Sequence, residues 1–104
     1  TLLEASHELA AGNISSQALV QECLRKVRNL QWVNSFVSLH EKEALEAAQS
    51  ADLRQQAGKR LGPLDGVPIA LKDNFCTATG ETTCASRMLK GTCIPYEATV
   101  VARL

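Results

Sequence analysis

A short run of apolar residues, Val67 to Leu71, is the feature that most constrains the fold of this chain. Two turn signals, Gly62-Pro63 and Asp65-Gly66, precede it, and the polar residues Lys72-Asp73-Asn74 follow it directly. A run of this length with no alternation of polar and apolar residues is typical of a strand that is covered on both faces. We therefore predict a strand over residues 67–71 that needs neighbouring strands and helices to cover it.

The residues before this run carry apolar side chains at helical spacing, which predicts three helices. The first begins at Leu2 and ends before Gly12. The second spans about 16–29, and Ser15 caps its first turn by accepting a hydrogen bond from a backbone N–H group. The third, rich in alanine and in good helix formers, spans about 41–57. We interpret all three as amphipathic or small-residue helices that pack on a core.

The remaining segments are shorter or less regular. Residues 35–39 are rich in β-prone side chains, which predicts a short strand. Residues 75–95 lack periodicity but contain apolar side chains among Thr, Gly, Ser and Cys, as an ordered segment lining a site does. The spacing of apolar side chains in residues 98–104 predicts a helix, of which the sequence includes two turns. We expect residues 1–104 to be the N-terminal portion of one domain, mainly helical over 1–58 and irregular around a strand over 59–104.

Composition argues against several classes of function. Eleven Lys and Arg residues balance eleven Asp and Glu residues and are interspersed with them, which disfavours direct binding of nucleic acid by this segment. No apolar run approaches the roughly 20 residues of a membrane-spanning helix, so no membrane association is expected. The cysteines are too far apart in sequence for the C-x-x-C pairs of a zinc site, which predicts no metal: Cys23, Cys76, Cys84 and Cys93. They are also too sparse for a disulfide framework, which predicts reduced thiols.

Lys72, at the end of the apolar run, has two interpretations. The ordinary one is that its side chain leaves the sheet and extends into solvent. The functional one is that burial disfavours the ammonium and leaves a neutral amine, which accepts a proton near neutral pH. The neighbouring Asp73 opposes the functional interpretation, although successive residues of a strand point to opposite faces and the two side chains need not touch.

The run from Gly62 to Asn74 resembles the strand-and-lysine motif of the amidase signature family. The stretch from Glu81 onward to Val101 narrows the resemblance to the A subunits of glutamyl-tRNA(Gln) amidotransferases, particularly those of eukaryotic organelles, and the similarity covers essentially the whole chain. It implies an α/β fold, namely the N-terminal part of an α/β/α sandwich with a mixed central sheet. It also implies that Lys72 is the catalytic base of a Ser-cisSer-Lys triad. Neither Ser86 nor the pair Ser15-Ser16 matches the two serines of that triad.

The same resemblance implies a function and partners. The full-length protein would hydrolyse glutamine, and the ammonia would pass to a partner subunit that amidates Glu-tRNA(Gln) in the mitochondrial matrix. It would assemble with B and C subunits, and ATP and magnesium would be used by the partner, with no cofactor in this segment. Thr82, Thr83 and Cys84 would contribute to the wall of the substrate pocket. For Cys84, a small buried thiol is a commoner role than that of a nucleophile.

Two other hypotheses stay open from the sequence. One alternative is another hydrolase of the same family that acts on a different amide. The chain is also compatible with a non-catalytic helical interaction module that keeps the amidase strand for structural reasons. For the isolated chain we expect little amidase activity and marginal stability, because a strand at residues 67–71 would lack its cover.

Overall fold

The computed structural model describes all residues from Thr1 to Leu104. Four α-helices form in chain order, with a 3-10 helix between the second and the third: α1 (Leu2–Ala11), α2 (Ser16–Asn29), Gln31–Val33, α3 (Glu41–Gln56) and α4 (Thr99–Ala102). The chain forms two compact units, Thr1–Ile69 and Ala70–Leu104. None of the helices combines the length and the apolar character that crossing a membrane requires.

Local capping signals account for the ends of the first two helices. Thr1 caps α1 by accepting a hydrogen bond from the backbone N–H of Glu4, and Gly12 ends that helix with a φ of 73°. Ser15 accepts from the backbone N–H of Ala18 at 3.1 Å and caps α2, as predicted. The predicted limits of α2 and α3 are confirmed to within a residue, whereas α4 is shorter than the helix predicted over 98–104.

The core of the first unit is small. Helices α2 and α3 pack against each other, and the buried apolar side chains come from all three long helices: Leu9, Val20, Ala48 and Ala51. The two residues from α3 are alanines, so α3 contributes only small apolar side chains to this core. Two serines, Ser6 and Ser16, are also buried there, and both side chains form hydrogen bonds.

The structure contains no β-strand, so the two predicted strands are corrected. Residues 35–39 and 67–71 are extended or bent, and no backbone hydrogen bond involves residues 35–39 or 68–71. A strand forms only when a neighbouring segment supplies the other half of the hydrogen-bond ladder, and β-propensity does not supply that neighbour. The sheet implied by the α/β resemblance is therefore not formed within residues 1–104.

Candidate active-site segment

The turn that leads into the apolar run is fixed to α3 by an ion pair. The Arg54 guanidinium donates two hydrogen bonds to the Asp65 carboxylate, at 2.9 and 2.5 Å, and the backbone N–H of Leu61 donates a third at 3.0 Å. The Asp65 side chain is only 5% exposed. The hydrogen bonds from Arg54 hold the pKa of Asp65 below its ordinary value, and the Leu61 N–H adds to this effect. The turn predicted at Asp65-Gly66 is thus held in place by a side chain of α3.

The same turn is also attached to α1 and α2. The buried hydroxyl of Ser6 donates to the carbonyl of Pro63, and that of Ser16, which is 2% exposed, donates to the carbonyl of Gly66 at 2.6 Å. Gly66 has a φ of +89°, and a Cβ added there would lie 3.1 Å from the Ser16 side chain and 3.3 Å from the Cβ of Ala51. Glycine is therefore required at this position both by conformation and by space.

Asp52 on α3 is a structural residue that we did not predict from the sequence. Its carboxylate accepts hydrogen bonds from the backbone N–H groups of Ser16 at 2.6 Å and Gln17 at 3.1 Å, at the start of α2. These N–H groups have no partner inside their own helix. In the sequence, Asp52 directly follows Ala51, which belongs to the small-residue face of α3. A carboxylate at the border of such a face indicates that it bonds to a neighbouring helix.

A groove of about 500 Å³ lies in the first unit, and none of the predicted site residues lines it. It is formed by the end of α2 and by residues 30–39, and its lining is mostly apolar. Several side chains of this stretch are exposed, among them Trp32, Val33 and Val37.

In the second unit, residues 70–75, which we call the lysine segment, make a turn immediately after Lys72. The backbone N–H of Phe75 donates to the carbonyl of Lys72 at 3.0 Å. The Lys72 side chain itself is exposed and forms no hydrogen bond or ion pair. Residues 1–104 do not provide the burial that the functional interpretation of Lys72 requires, so its catalytic role stays a prediction.

Asp73 directs its carboxylate to Thr83 and forms no ion pair with Lys72. One carboxylate oxygen accepts from the Thr83 backbone N–H at 2.9 Å, and the other accepts from the Thr83 hydroxyl at 2.5 Å. The Thr83 hydroxyl, followed by the Thr83 N–H, lowers the pKa of Asp73. Asp73 is thus held as a carboxylate by a partner ten residues away in sequence, and both of its oxygens bond to Thr83 rather than to Lys72.

The three predicted pocket residues lie together, against the segment that follows Lys72. Thr82 is 3% exposed, and its hydroxyl donates to the carbonyl of Phe75 at 3.2 Å. The backbone N–H of Cys84 donates to the carbonyl of Asp73 at 2.9 Å. The structure therefore brings residues 82–84 to the lysine segment, and their contact with a substrate stays a prediction.

Cys84 differs from its predicted environment. Its thiol is exposed rather than buried, because the residue occupies a tight turn with a φ of 49° and is followed by Ala85 with a φ of 58°. Two consecutive residues other than glycine in this conformation are uncommon. The backbone N–H of Ser86 donates to the carbonyl of Thr83 at 2.8 Å and closes the turn. All four cysteines are free, and no three potential metal-ligating side chains come together.

Comparison with known protein families matches residues 18–104 to the family described as Amidase. The chain belongs to the amidase family. This membership confirms the resemblance seen in residues 62–74. The match also includes most of α2, all of α3 and residues 82–84, so it extends from the first compact unit through the whole of the second.

Individual amidase relatives resemble the chain along its entire length. It is 49% identical over all 104 residues to the A subunit of the mitochondrial glutamyl-tRNA(Gln) amidotransferase of Xenopus laevis. The proteins of the same name from Bos taurus and Homo sapiens are 47% and 45% identical over the same residues. The chain spans 20% of the length of each of these relatives.

Proposed function

We propose that this chain is part of the A subunit of a mitochondrial glutamyl-tRNA(Gln) amidotransferase, which hydrolyses glutamine to supply ammonia for converting Glu-tRNA(Gln) into Gln-tRNA(Gln). The observation that carries the proposal is 45–50% identity over all 104 residues to relatives of that name. The residues compared include the helices of the first unit as well as residues 62–74. This identity favours this subunit over a more distant amidase that shares only the lysine motif.

In the proposed reaction, Lys72 accepts a proton. A nucleophilic serine attacks the carboxamide carbon of glutamine, and its hydroxyl proton passes through a second serine to the neutral Lys72 amine. The C–N bond breaks as the amide nitrogen takes this proton back from Lys72 through the second serine. The nitrogen leaves as ammonia, and a glutamyl ester forms on the first serine. Water then hydrolyses the ester, which releases glutamate and restores the serine hydroxyl. Neither serine has a counterpart in residues 1–104, so this activity is proposed for the full-length protein.

The proposal also includes the fold around Lys72. In the full-length protein, we expect residues 67–71 to join the mixed sheet of an α/β/α sandwich, with neighbouring strands supplying the missing ladder. A sheet there would bury the end of the segment and desolvate the Lys72 amine. The docked turn at residues 60–67 supports this arrangement, since three helices already hold the entry to the segment.

The proposed partners follow from the same assignment. The substrate is glutamine, and the other components are the B and C subunits, one of which would bind Glu-tRNA(Gln). That partner would also use ATP and magnesium. The even charge balance of this chain, with eleven residues of each sign, agrees with tRNA binding elsewhere in the complex.

Substitution of Lys72 tests the proposed catalytic role. In the full-length protein assembled with its partner subunits, we expect Lys72→Ala to lower the rate of glutamine hydrolysis about 10²–10⁴-fold, as loss of a general base does. Lys90→Ala is the matched control, because Lys90 is another exposed lysine of the second unit. Thermal unfolding checks that both variants remain folded. Full glutaminase activity in a folded Lys72→Ala protein would remove Lys72 from the mechanism.

The substrate is tested separately. The assembled wild-type protein should convert Glu-tRNA(Gln) into Gln-tRNA(Gln) with glutamine as the amide donor. Hydrolysis of simple free amides without this conversion would favour another hydrolase of the amidase family.

A further inference from the structure

The backbone that follows Lys72 is held by hydrogen bonds from one short stretch of chain. Thr82 donates to the Phe75 carbonyl, Thr83 donates twice to the Asp73 carboxylate, and Cys84 donates to the Asp73 carbonyl. The Lys72 side chain has no polar contact of its own. Within residues 1–104, these bonds therefore fix the backbone from which the Lys72 side chain extends.

Within this set, Thr83 has a different role from Thr82. Thr82 is buried, and its hydroxyl bonds only to backbone groups, those of Phe75 and Thr77, as a residue that supports the fold does. Thr83 is half-buried, and its hydroxyl bonds to the one charged side chain directly adjacent to Lys72. Removal of this hydroxyl would leave an Asp73 carboxylate oxygen free beside an exposed lysine.

We propose that Thr83 is a positioning residue for Lys72, because it holds the Asp73 carboxylate and so keeps that carboxylate from pairing with the lysine amine. This inference rests on the proposed function, in which Lys72 accepts a proton. Thr83 acts through Asp73, and it need not touch glutamine. Its loss has two consequences, a less rigid backbone after Lys72 and a carboxylate free to stabilise the ammonium form, which accepts no proton.

The two consequences fall on the chemical step and leave substrate binding intact. In the full-length protein with its partner subunits, we expect Thr83→Val to lower kcat for glutamine hydrolysis about 10-fold or more, with KM changed less than about twofold. Thr83→Ser keeps the hydroxyl and should retain most of the wild-type kcat. Thr92→Val is the matched control, since the exposed Thr92 side chain forms no hydrogen bond, and it should leave both constants unchanged.

A second readout is the pH dependence of kcat in the same protein. In Thr83→Val, the acidic limb of the profile should move to higher pH, because an Asp73 carboxylate beside the amine favours the ammonium form, which accepts no proton. Thr92→Val should leave the profile unchanged. Asp73→Asn, which removes the charge, should not move the acidic limb to higher pH.

The inference is overturned if Thr83→Val keeps the wild-type kcat, if it raises KM alone, or if Thr83→Ser loses as much activity as Thr83→Val. An acidic limb of the kcat profile that does not move in Thr83→Val also overturns it. A Lys72→Ala protein that stays active contradicts the proposed function, whatever Thr83 does. An inactive Lys72→Ala protein beside a fully active Thr83→Val protein overturns only the inference about Thr83.

Discussion

The carboxylate of Asp52 on α3 caps α2 from outside, by accepting a hydrogen bond from the backbone N–H of Ser16 at 2.6 Å. A negative charge at this end of a helix also interacts favourably with the helix dipole. The hydroxyl of the same serine donates to the carbonyl of Gly66. Ser16 thus joins α2, α3 and the turn that leads towards the lysine segment.

Removal of the Asp52 carboxylate should destabilise the protein. We expect Asp52→Ala to lower the free energy of unfolding by about 1–2 kcal/mol, because the first N–H groups of α2 lose their partner. Denaturant unfolding of the full-length protein measures this change. Glu46→Ala on the same helix is the control, since its exposed pair with Lys42 contributes less than about 1 kcal/mol. Equal effects of the two substitutions would contradict a capping role for Asp52.

Substitution of two glycines with positive φ, Gly12 and Gly66, allows the cost of backbone strain to be measured apart from the cost of crowding. Gly12→Ala introduces strain alone, since no atom lies within 4 Å of the added Cβ, and should cost about 1 kcal/mol. Gly66→Ala adds contacts of 3.1 Å with Ser16, and should cost a further 1–3 kcal/mol or so. Denaturant unfolding of both variants gives the difference. If Gly66→Ala costs no more than Gly12→Ala, the turn does not pack on α2 as closely as described.

The ion pair of Asp65 with Arg54 predicts a dependence of stability on pH. Because the pKa of Asp65 is lower in the folded protein than in the unfolded one, the pair contributes stability that is fully present above about pH 4. This contribution is lost as the pH falls through the lowered pKa. We expect Asp65→Asn to cost about 1–3 kcal/mol at pH 7 and progressively less in acid.

Free energies of unfolding for Asp65→Asn, measured from pH 7 down to pH 3 or so, check this expectation. Glu81→Gln, which removes an exposed carboxylate without an ion pair, is the control and should show little effect at any pH. A cost of Asp65→Asn that is the same at all these pH values would show that the ionised carboxylate is not what stabilises the turn.

Much of the helical structure was predictable, because its signals act over short distances in sequence. Ser15 lies three residues from the N–H group that it caps, and Gly12 ends α1 through its own backbone conformation. The predicted strands failed for the opposite reason, since residues 67–71 have β-propensity and apolar side chains but no pairing segment. Lys72 was predicted through the amidase motif of residues 62–74, and residues 82–84 through the resemblance of the stretch from Glu81. The sequence presented Asp73 only as the neighbour of Lys72.

The sequence by itself determined the helices, their caps and the amidase motif of residues 62–74, since each of these depends on residues that are close together in the chain. Only the tertiary structure decided which distant groups meet. Asp52 reaches Ser16 across 36 positions, and Ser16 reaches Gly66 across 50. The physical reason is that a hydrogen bond forms only when the fold places donor and acceptor within about 3 Å of each other. For the same reason, residues 67–71 form no strand, because no other segment lies close enough to pair with them. The Asp73 carboxylate accepts hydrogen bonds from Thr83 because the fold places the two residues together.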